Sequence, residues 1–439
     1  MPRKTLPEKG MAKEDLLATM DELRRADADW RGGKLWSLVY HAGDAHTEFL
    51  KDAHGRFFHA NGLSPMAFPS LRTFESEAVA MTVAMLGGGD GACGSMTTGG
   101  TESILMACKA YRDRARAERG IERPEAVLPV TAHPAFDKAC HYLGVTPVKF
   151  GLDAGFRADP ARARAAVTEN TAFLVGSAPC FPYGVVDPIR DLAAIAAEKG
   201  IGCHVDACVG GFFLPWLKRL GVPAPDFDFS IPGVTSISAD LHKYGFSGRG
   251  ASTVLYRTRE LRRHQFFVET EWPGGLYGSP TMTGSRSGGV IAAAWAAMNA
   301  LGQDGYTRIV AGVMETARTL IDGVAAIPGL SVLGKPDMSL FAVASDELDV
   351  YALADLMEGR GWHIDRQQRP ASLHLLVTPA HAPVAAAFLA DLRAAAQELR
   401  ARPELAGQGQ AAMYGTMAKI PDRGSVREMV LDFLDGTYD

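Results

Sequence analysis

The chain has 439 residues, 47% of them hydrophobic and 22% charged, with a formal net charge of −5. That length supports a large core and more than one domain. The slightly acidic balance, with no basic block, excludes a general nucleic-acid binder, whose phosphate contacts need clustered Lys and Arg.

Read in order, residues 1 to about 30 form a charged helix, MAKEDLLATMDELRRADADW, with apolar residues at helical spacing. This N-terminus lacks the apolar core of a secretory signal, and no apolar run reaches the length of a membrane span. A cytoplasmic protein without a stable membrane anchor is the expectation. A Gly- and aromatic-rich segment of little periodicity follows to residue 72, and such segments are often functional or wrap a neighbouring subunit.

From residue 73 the pattern becomes regular. RTFESEAVAMTVAMLGG reads as a helix ending at glycines, and GSMTTGG leads into the long amphipathic helix TESILMACKAYRDRARAERG. The apolar runs AVLPVTA, TAFLVGSAP, IGCHVDA, SISAD and STVLYRT read as strands, with helices such as PIRDLAAIAAEKG between several of them. Alternating strands and helices predict an α/β domain with a mostly parallel sheet. From about residue 321, LSVLGK, LFAVAS, VYALADLMEGRGWHID and LHLLVT read as strand, strand, helix and strand, a smaller α+β unit. The expected division is an N-terminal arm (1–72), a large domain (73–320) and a small C-terminal domain (321–439). The six cysteines are scattered without a CxxC pair, so neither a disulfide framework nor a metal site is expected.

Four features carry chemistry. TTGGTES, Thr97 to Ser103, opens a helix, where free N–H groups and the helix dipole attract an anion, and Gly99 and Gly100 allow close backbone approach. The same pattern also serves as a plain turn and cap. Asp206 in HVDAC lies inside an apolar strand, where a carboxylate needs a partner such as a protonated ring nitrogen or a local cap. Lys243 in SADLHKYGFSGRG is either a solvated surface charge or, if shielded, a lysine of lowered pKa that attacks an aldehyde. His133 in TAHPAF follows a predicted strand, at the edge where ligands gather in open α/β sheets, and either stacks on a cofactor ring or holds a structural hydrogen bond. Together they fit pyridoxal 5′-phosphate, which needs an amine for its aldehyde, a carboxylate to keep its ring nitrogen protonated and a clamp for its phosphate.

The stretches GGTESILMACKAYRD, AHPAFDKA, HVDACVGGF, FDFSIPGVTSISADLHKYG, HQFFVETEWPGGLYGSPTMTGSR and MYG, between Tyr40 and Tyr414, resemble the sphingosine-1-phosphate lyase family, related to glutamate and other amino-acid decarboxylases. The resemblance implies an aspartate-aminotransferase-like fold (fold type I) and a homodimer with shared active sites. It implies that Gly99, Gly100 and Thr101, helped by Ser238 and His242, hold the cofactor phosphate, and that His133 stacks on the ring. His204 and Gly289 join this cofactor set, and the loop 284–289 would reach the neighbouring subunit. Tyr40, Asn61, Ser64 and Arg249 match substrate positions. The family pattern leads to a histidine near Ser64 and a lysine at Arg249, so this chain departs there, although arginine also grips a phosphate through its planar fork.

The implied reaction cleaves the C2–C3 bond of a phosphorylated long-chain base by retro-aldol chemistry, giving a long-chain aldehyde and phosphoethanolamine. Lys243 would hold the cofactor, Asp206 its ring nitrogen, and Lys243, His242 and Tyr414 are candidates for the base. An amino-acid decarboxylase on the same scaffold is the alternative, and a non-catalytic interaction protein with this fold is a third reading.

Overall fold

The computed structural model describes residues 5–406, 408–409, 415 and 420–438. Its centre is a seven-stranded sheet built from β1 (Cys93–Thr97), β2 (Glu125–Pro129), β3 (Thr146–Phe150), β4 (Thr171–Ser177), β5 (Gly202–Asp206), β6 (Ser236–Ala239) and β7 (Ser252–Tyr256). The order is β1-β7-β6-β5-β4-β2-β3, and only β7 runs against the others. Every residue of β4, β5, β6 and β7 is buried, as expected of strands covered on both faces. The expected mostly parallel α/β sheet is therefore present.

Because six strands share one direction, their C-terminal ends form one edge. Thr97, Ser177, Asp206 and Ala239 each end a strand there, and the helices leave from the same side. The helix α4 (Gly100–Arg119) begins three residues beyond β1 and stops at Gly120, a left-handed cap with φ 64°. Its buried side carries Ile104, Leu105, Ala107, Cys108 and Tyr111, which pack onto the sheet.

A second sheet of four antiparallel strands forms the small domain, in the order β10-β11-β13-β12. Its strands are Ser331–Val332 (β10), Leu340–Ala344 (β11), Asp365–Gln368 (β12) and Ala371–Leu376 (β13), while a short hairpin, Phe267–Glu269 (β8) with Tyr277–Ser279 (β9), stands apart. The helix α10 (Gly288–Ala325) joins the two domains and breaks at Gly302 (φ 56°). The small sheet thus starts ten residues beyond the expected division, and α10 runs straight across residue 320.

Three local expectations differ from the structure. The first helix is shorter, α1 (Lys13–Arg24), with no buried residue, so tertiary packing does not extend it. The aromatic-rich segment before residue 72 contains a full helix, α2 (Asp44–Arg56), whose single buried residue, Leu50, explains its weak periodicity. GSMT is the strand β1, paired to β7 rather than a mere lead into a helix. The N-terminal strap at Leu35 and Trp36 adds to the small sheet. Leu35 bridges His363, Leu376 N–H donates to the Trp36 carbonyl at 2.9 Å, and the buried Trp36 ring stacks on His381 at 4.2 Å.

Candidate active site

At the strand-end edge lies a cavity of about 600 Å³, closed from above by the small domain and the N-terminal strap. Gly99, Gly100, Thr101, His133, Asp206, His242, Lys243, Tyr40 and Arg249 all line it. Apart from Tyr40, which comes from the N-terminal strap, they lie at the end of β5 or in the connections that follow β1, β2 and β6, which the sheet topology brings to one edge.

Asp206 ends β5 and is buried. Its Oδ1 accepts from Ser238 Oγ at 3.2 Å, across the β5–β6 pair, and from Cys208 N–H at 3.1 Å. Burial alone would raise its pKa, but the hydrogen bond with Cys208 and the charges of His133 and Lys243 outweigh it and hold the carboxyl below its usual value. A charged carboxylate facing a cavity is the group a protonated pyridine nitrogen requires.

Lys243 lies in the loop after β6, with Nζ 3.0 Å from Asp240 Oδ2. Asp240 is 1% exposed and accepts from Ser252 Oγ at 2.5 Å. Ser252 Oγ meets Ser103 Oγ at 2.8 Å, and Ser103 Oγ meets Thr97 Oγ1 at 2.6 Å, a buried chain linking the lysine loop to the start of α4. Burial favours the neutral amine, but Asp240, then Cys208, Tyr40 and Asp206, outweigh it and hold the Lys243 pKa above the usual lysine value. The expectation of a lowered pKa is therefore overturned for this state, because the paired carboxylate wins over desolvation.

The phosphate cradle is a matter of space. A Cβ on Gly100 would stand 2.7 Å from Cys208 Sγ and 2.9 Å from Asp240 Oδ2, and one on Gly99 would touch His242 Cε1 at 3.4 Å. At Gly100 there is no room for a side chain, so the bare backbone starts α4 at the cavity, where its first N–H groups are free. Glu102 braces the turn, accepting at Oε2 from Thr98 N–H at 2.6 Å and Thr98 Oγ1 at 2.7 Å, and at Oε1 from Met282 N–H at 2.8 Å. Ala251 N–H donates to His242 Nδ1 at 3.2 Å, which leaves the neutral ring's proton on Nε2, and burial lowers the His242 pKa. His133 is exposed to the cavity, with its Nδ1 accepting the Ala135 N–H at 3.1 Å, so the start of α5 (Ala135–Leu143) orients the ring. An anion cradle, a carboxylate, an amine and a flat ring around one space suit pyridoxal 5′-phosphate.

Several expected residues stand elsewhere. Ser238 is fully buried and its hydroxyl meets Asp206, His204 Nε2 (3.3 Å) and Cys208 Sγ (3.3 Å), so within this chain it supports the carboxylate. His204 lies beneath it, bonded at Nδ1 to Ser236 Oγ at 2.7 Å, and burial pushes its pKa down to about 4. It reaches the cofactor space only through Ser238. Within one chain, Asn61, Ser64 and Gly289 lie outside the cavity. Asn61 Nδ2 donates to Ser285 Oγ and its Oδ1 accepts from Arg286 N–H, Ser64 Oγ accepts from Ala67 N–H, and Gly289 packs under His54. Tyr414 lies outside the described residues.

Sequence reasoning missed Asp240, although a carboxylate three residues before the lysine was visible in SADLHK. It also missed Cys208, Glu102, Ser37, Leu38, Phe181 and Asp365 on the cavity wall. The last three carry no local signal, because folding alone brings them there.

A model of the pyridoxal-dependent decarboxylase conserved domain matches residues 39–343. The sphingosine-1-phosphate lyase of Arabidopsis thaliana is 46% identical over 99% of this chain and 81% of its own. Among solved structures, the sphingosine-1-phosphate lyase of Burkholderia pseudomallei is 46% identical and superposes with a TM-score of 0.88 over 91% of this chain and 95% of its own. The glutamate decarboxylase of Lactobacillus brevis, 20% identical, shares the fold alone, with a TM-score of 0.79 over 91% of this chain and 95% of its own. Sheet order, small domain and these likenesses agree on fold type I. The chain belongs to the sphingosine-1-phosphate lyase family of pyridoxal-dependent enzymes.

Proposed function

We propose that this chain cleaves sphingosine 1-phosphate, or a related phosphorylated long-chain base, at the C2–C3 bond to a long-chain aldehyde and phosphoethanolamine. The observation that carries the reading is the pairing of Lys243 and Asp206 on one cavity with the Gly99–Gly100 cradle, in a chain 46% identical to a sphingosine-1-phosphate lyase.

Gly99, Gly100 and Thr101 would hold the cofactor phosphate through the first N–H groups of α4, with His242 Nε2–H donating beside them. His133 would cover one face of the ring. Asp206 would keep a proton on the ring nitrogen, and Ser238 and the Cys208 N–H fix its carboxylate. Bound there, pyridoxal 5′-phosphate supplies an electron sink for the pair released at C2. Lys243 Nζ would hold the cofactor through its aldehyde. Once free it faces Asp240 and is charged, which suits it to return a proton to C2. His242 holds its ring proton at Nε2 and donates, so it has no free lone pair to take the hydroxyl proton at C3. Arg249, with its guanidinium 5.5 Å over the half-buried Tyr40 ring, would bind the substrate phosphate beside the tyrosine hydroxyl, whose pKa burial pushes up to about 12. A cytoplasmic homodimer is part of the same reading. Asn61 and the loop 284–289, tied together through Ser285 and Arg286, would then serve the neighbouring subunit's cavity together with Ser64.

The test offers the purified, cofactor-loaded protein sphingosine 1-phosphate and, separately, amino acids. Aldehyde and phosphoethanolamine in equal amounts support the lyase. Carbon dioxide from an amino acid, with no aldehyde, would establish the decarboxylase instead.

A further inference from the structure

The cavity's mouth contains a strained residue to which no function has so far been assigned. Leu38 has a backbone φ of 65° and is 70% exposed, yet it lines the same cavity as Lys243. A positive φ is a true outlier for a bulky side chain. Here it sits at the centre of a three-residue turn, closed by the Val39 N–H donating to the Ser37 carbonyl at 2.7 Å, a γ-turn of the rare and strained kind. The turn has no freedom to relax. On one side Trp36 is fully buried and bonded to His363 and Leu376, and on the other Tyr40 stands edge-on to Tyr244 with ring centres 4.9 Å apart. Strain of this kind persists where the surroundings over-determine the backbone, and it clusters at ligand clamps.

The turn presents an apolar side chain to a cavity whose lining also includes the apolar Pro179, Phe181, Val209 and Leu376. Phe181 is itself held by a stack on His374, with ring centres 4.1 Å apart. A space of about 600 Å³ that must hold a cofactor and a phosphorylated head group leaves little room for a long alkyl chain, so the chain has to leave through the mouth. We infer that Leu38 is a specificity-determining residue, a gatepost against which the first methylenes of the substrate's alkyl chain pack as they leave the cavity. This rests on the lyase reading above.

The experiment compares wild type, Leu38→Ala and Leu38→Gly, each loaded with pyridoxal phosphate and checked for cofactor content and oligomeric state. Each is given sphingosine 1-phosphate and an analogue with the same head group whose alkyl chain ends before the mouth. The ratio of kcat/KM, long chain over short, should fall about tenfold in both variants, the scale set by losing most of one leucine's apolar contact. The glycine variant carries no positive-φ penalty and keeps the test decisive if the alanine variant is unstable. An unchanged ratio in variants that still cleave overturns the role of Leu38 and leaves the lyase standing. Equal loss on both substrates, together with loss of the dimer, also overturns it, since Leu38 would then be a contact between copies. Wild type that cleaves neither substrate would overturn the lyase reading and this inference with it.

Discussion

The floor of the cavity and its rim are built in opposite ways. The floor is made of adjacent strand ends, where Asp206, Ser238 and His204 form one buried, hydrogen-bonded group and Asp240 and Ser252 another. The rim draws Leu38, Tyr40, Phe181, Arg249 and Asp365 from separate segments, with longer contacts and more exposure. A cofactor that must be held within a fraction of an ångström belongs on rigid, cross-bonded elements. Recognition of a variable substrate belongs on loops carried by that scaffold. Changes in the floor should therefore cost the cofactor and its chemistry, and changes in the rim should cost substrate affinity.

The largest effect tests the floor. Lys243→Ala should lower the lyase rate by at least about 10⁴-fold and abolish covalent retention of the cofactor on dialysis. Asp206→Asn keeps the size of the side chain but removes the charge that holds a proton on the ring nitrogen. Its kcat should fall by roughly 10² to 10³, with KM little changed. Gly100→Ala places a methyl against Cys208 Sγ and the Asp240 carboxylate, so the apparent cofactor affinity should fall about tenfold or more while far-ultraviolet dichroism stays native. A rim change should differ in kind: Arg249→Lys loses the planar fork and should raise KM for the substrate several-fold, with cofactor content intact. If it lost cofactor instead, the division between floor and rim would break.

The smallest expected effect concerns stability. Burial lowers the His204 pKa from 6.5 to about 4. Between those values the unfolded chain takes up a proton that the native chain refuses, so stability is full above pH 6.5 and falls as the pH drops toward 4. His374 and His381, also buried and lowered to about 4, share this window. In His204→Gln the fall of Tm with pH across it should be shallower but not flat, as scanning calorimetry would show.

How much was legible follows the same division. Strands such as IGCHVDA and SISAD announce themselves because burial on both faces leaves continuous apolar runs, and the floor residues sit within or just after them. Asp206, Lys243 and His133 stood out only together, as a set near strand ends with the Gly99–Gly100 turn, and through the family resemblance. Side-chain direction was not readable: Ser238 and Asp206 face each other across paired strands, which brings the hydroxyl onto the carboxylate. Asp365 and Phe181 come from the small domain and the turn after β4, and only the closed fold brings them to the cavity. The helix α2 hid because it buries a single residue, so its sequence had no apolar stripe to show.

The central claim is that Lys243 carries the cofactor. Incubation with pyridoxal phosphate, borohydride reduction and peptide mass mapping would test it directly. The account predicts one cofactor adduct per chain, on Lys243 of the peptide containing SADLHKYG, and none there in Lys243→Ala. An adduct on a different lysine, or none at all in a folded and cofactor-saturated protein, would contradict it.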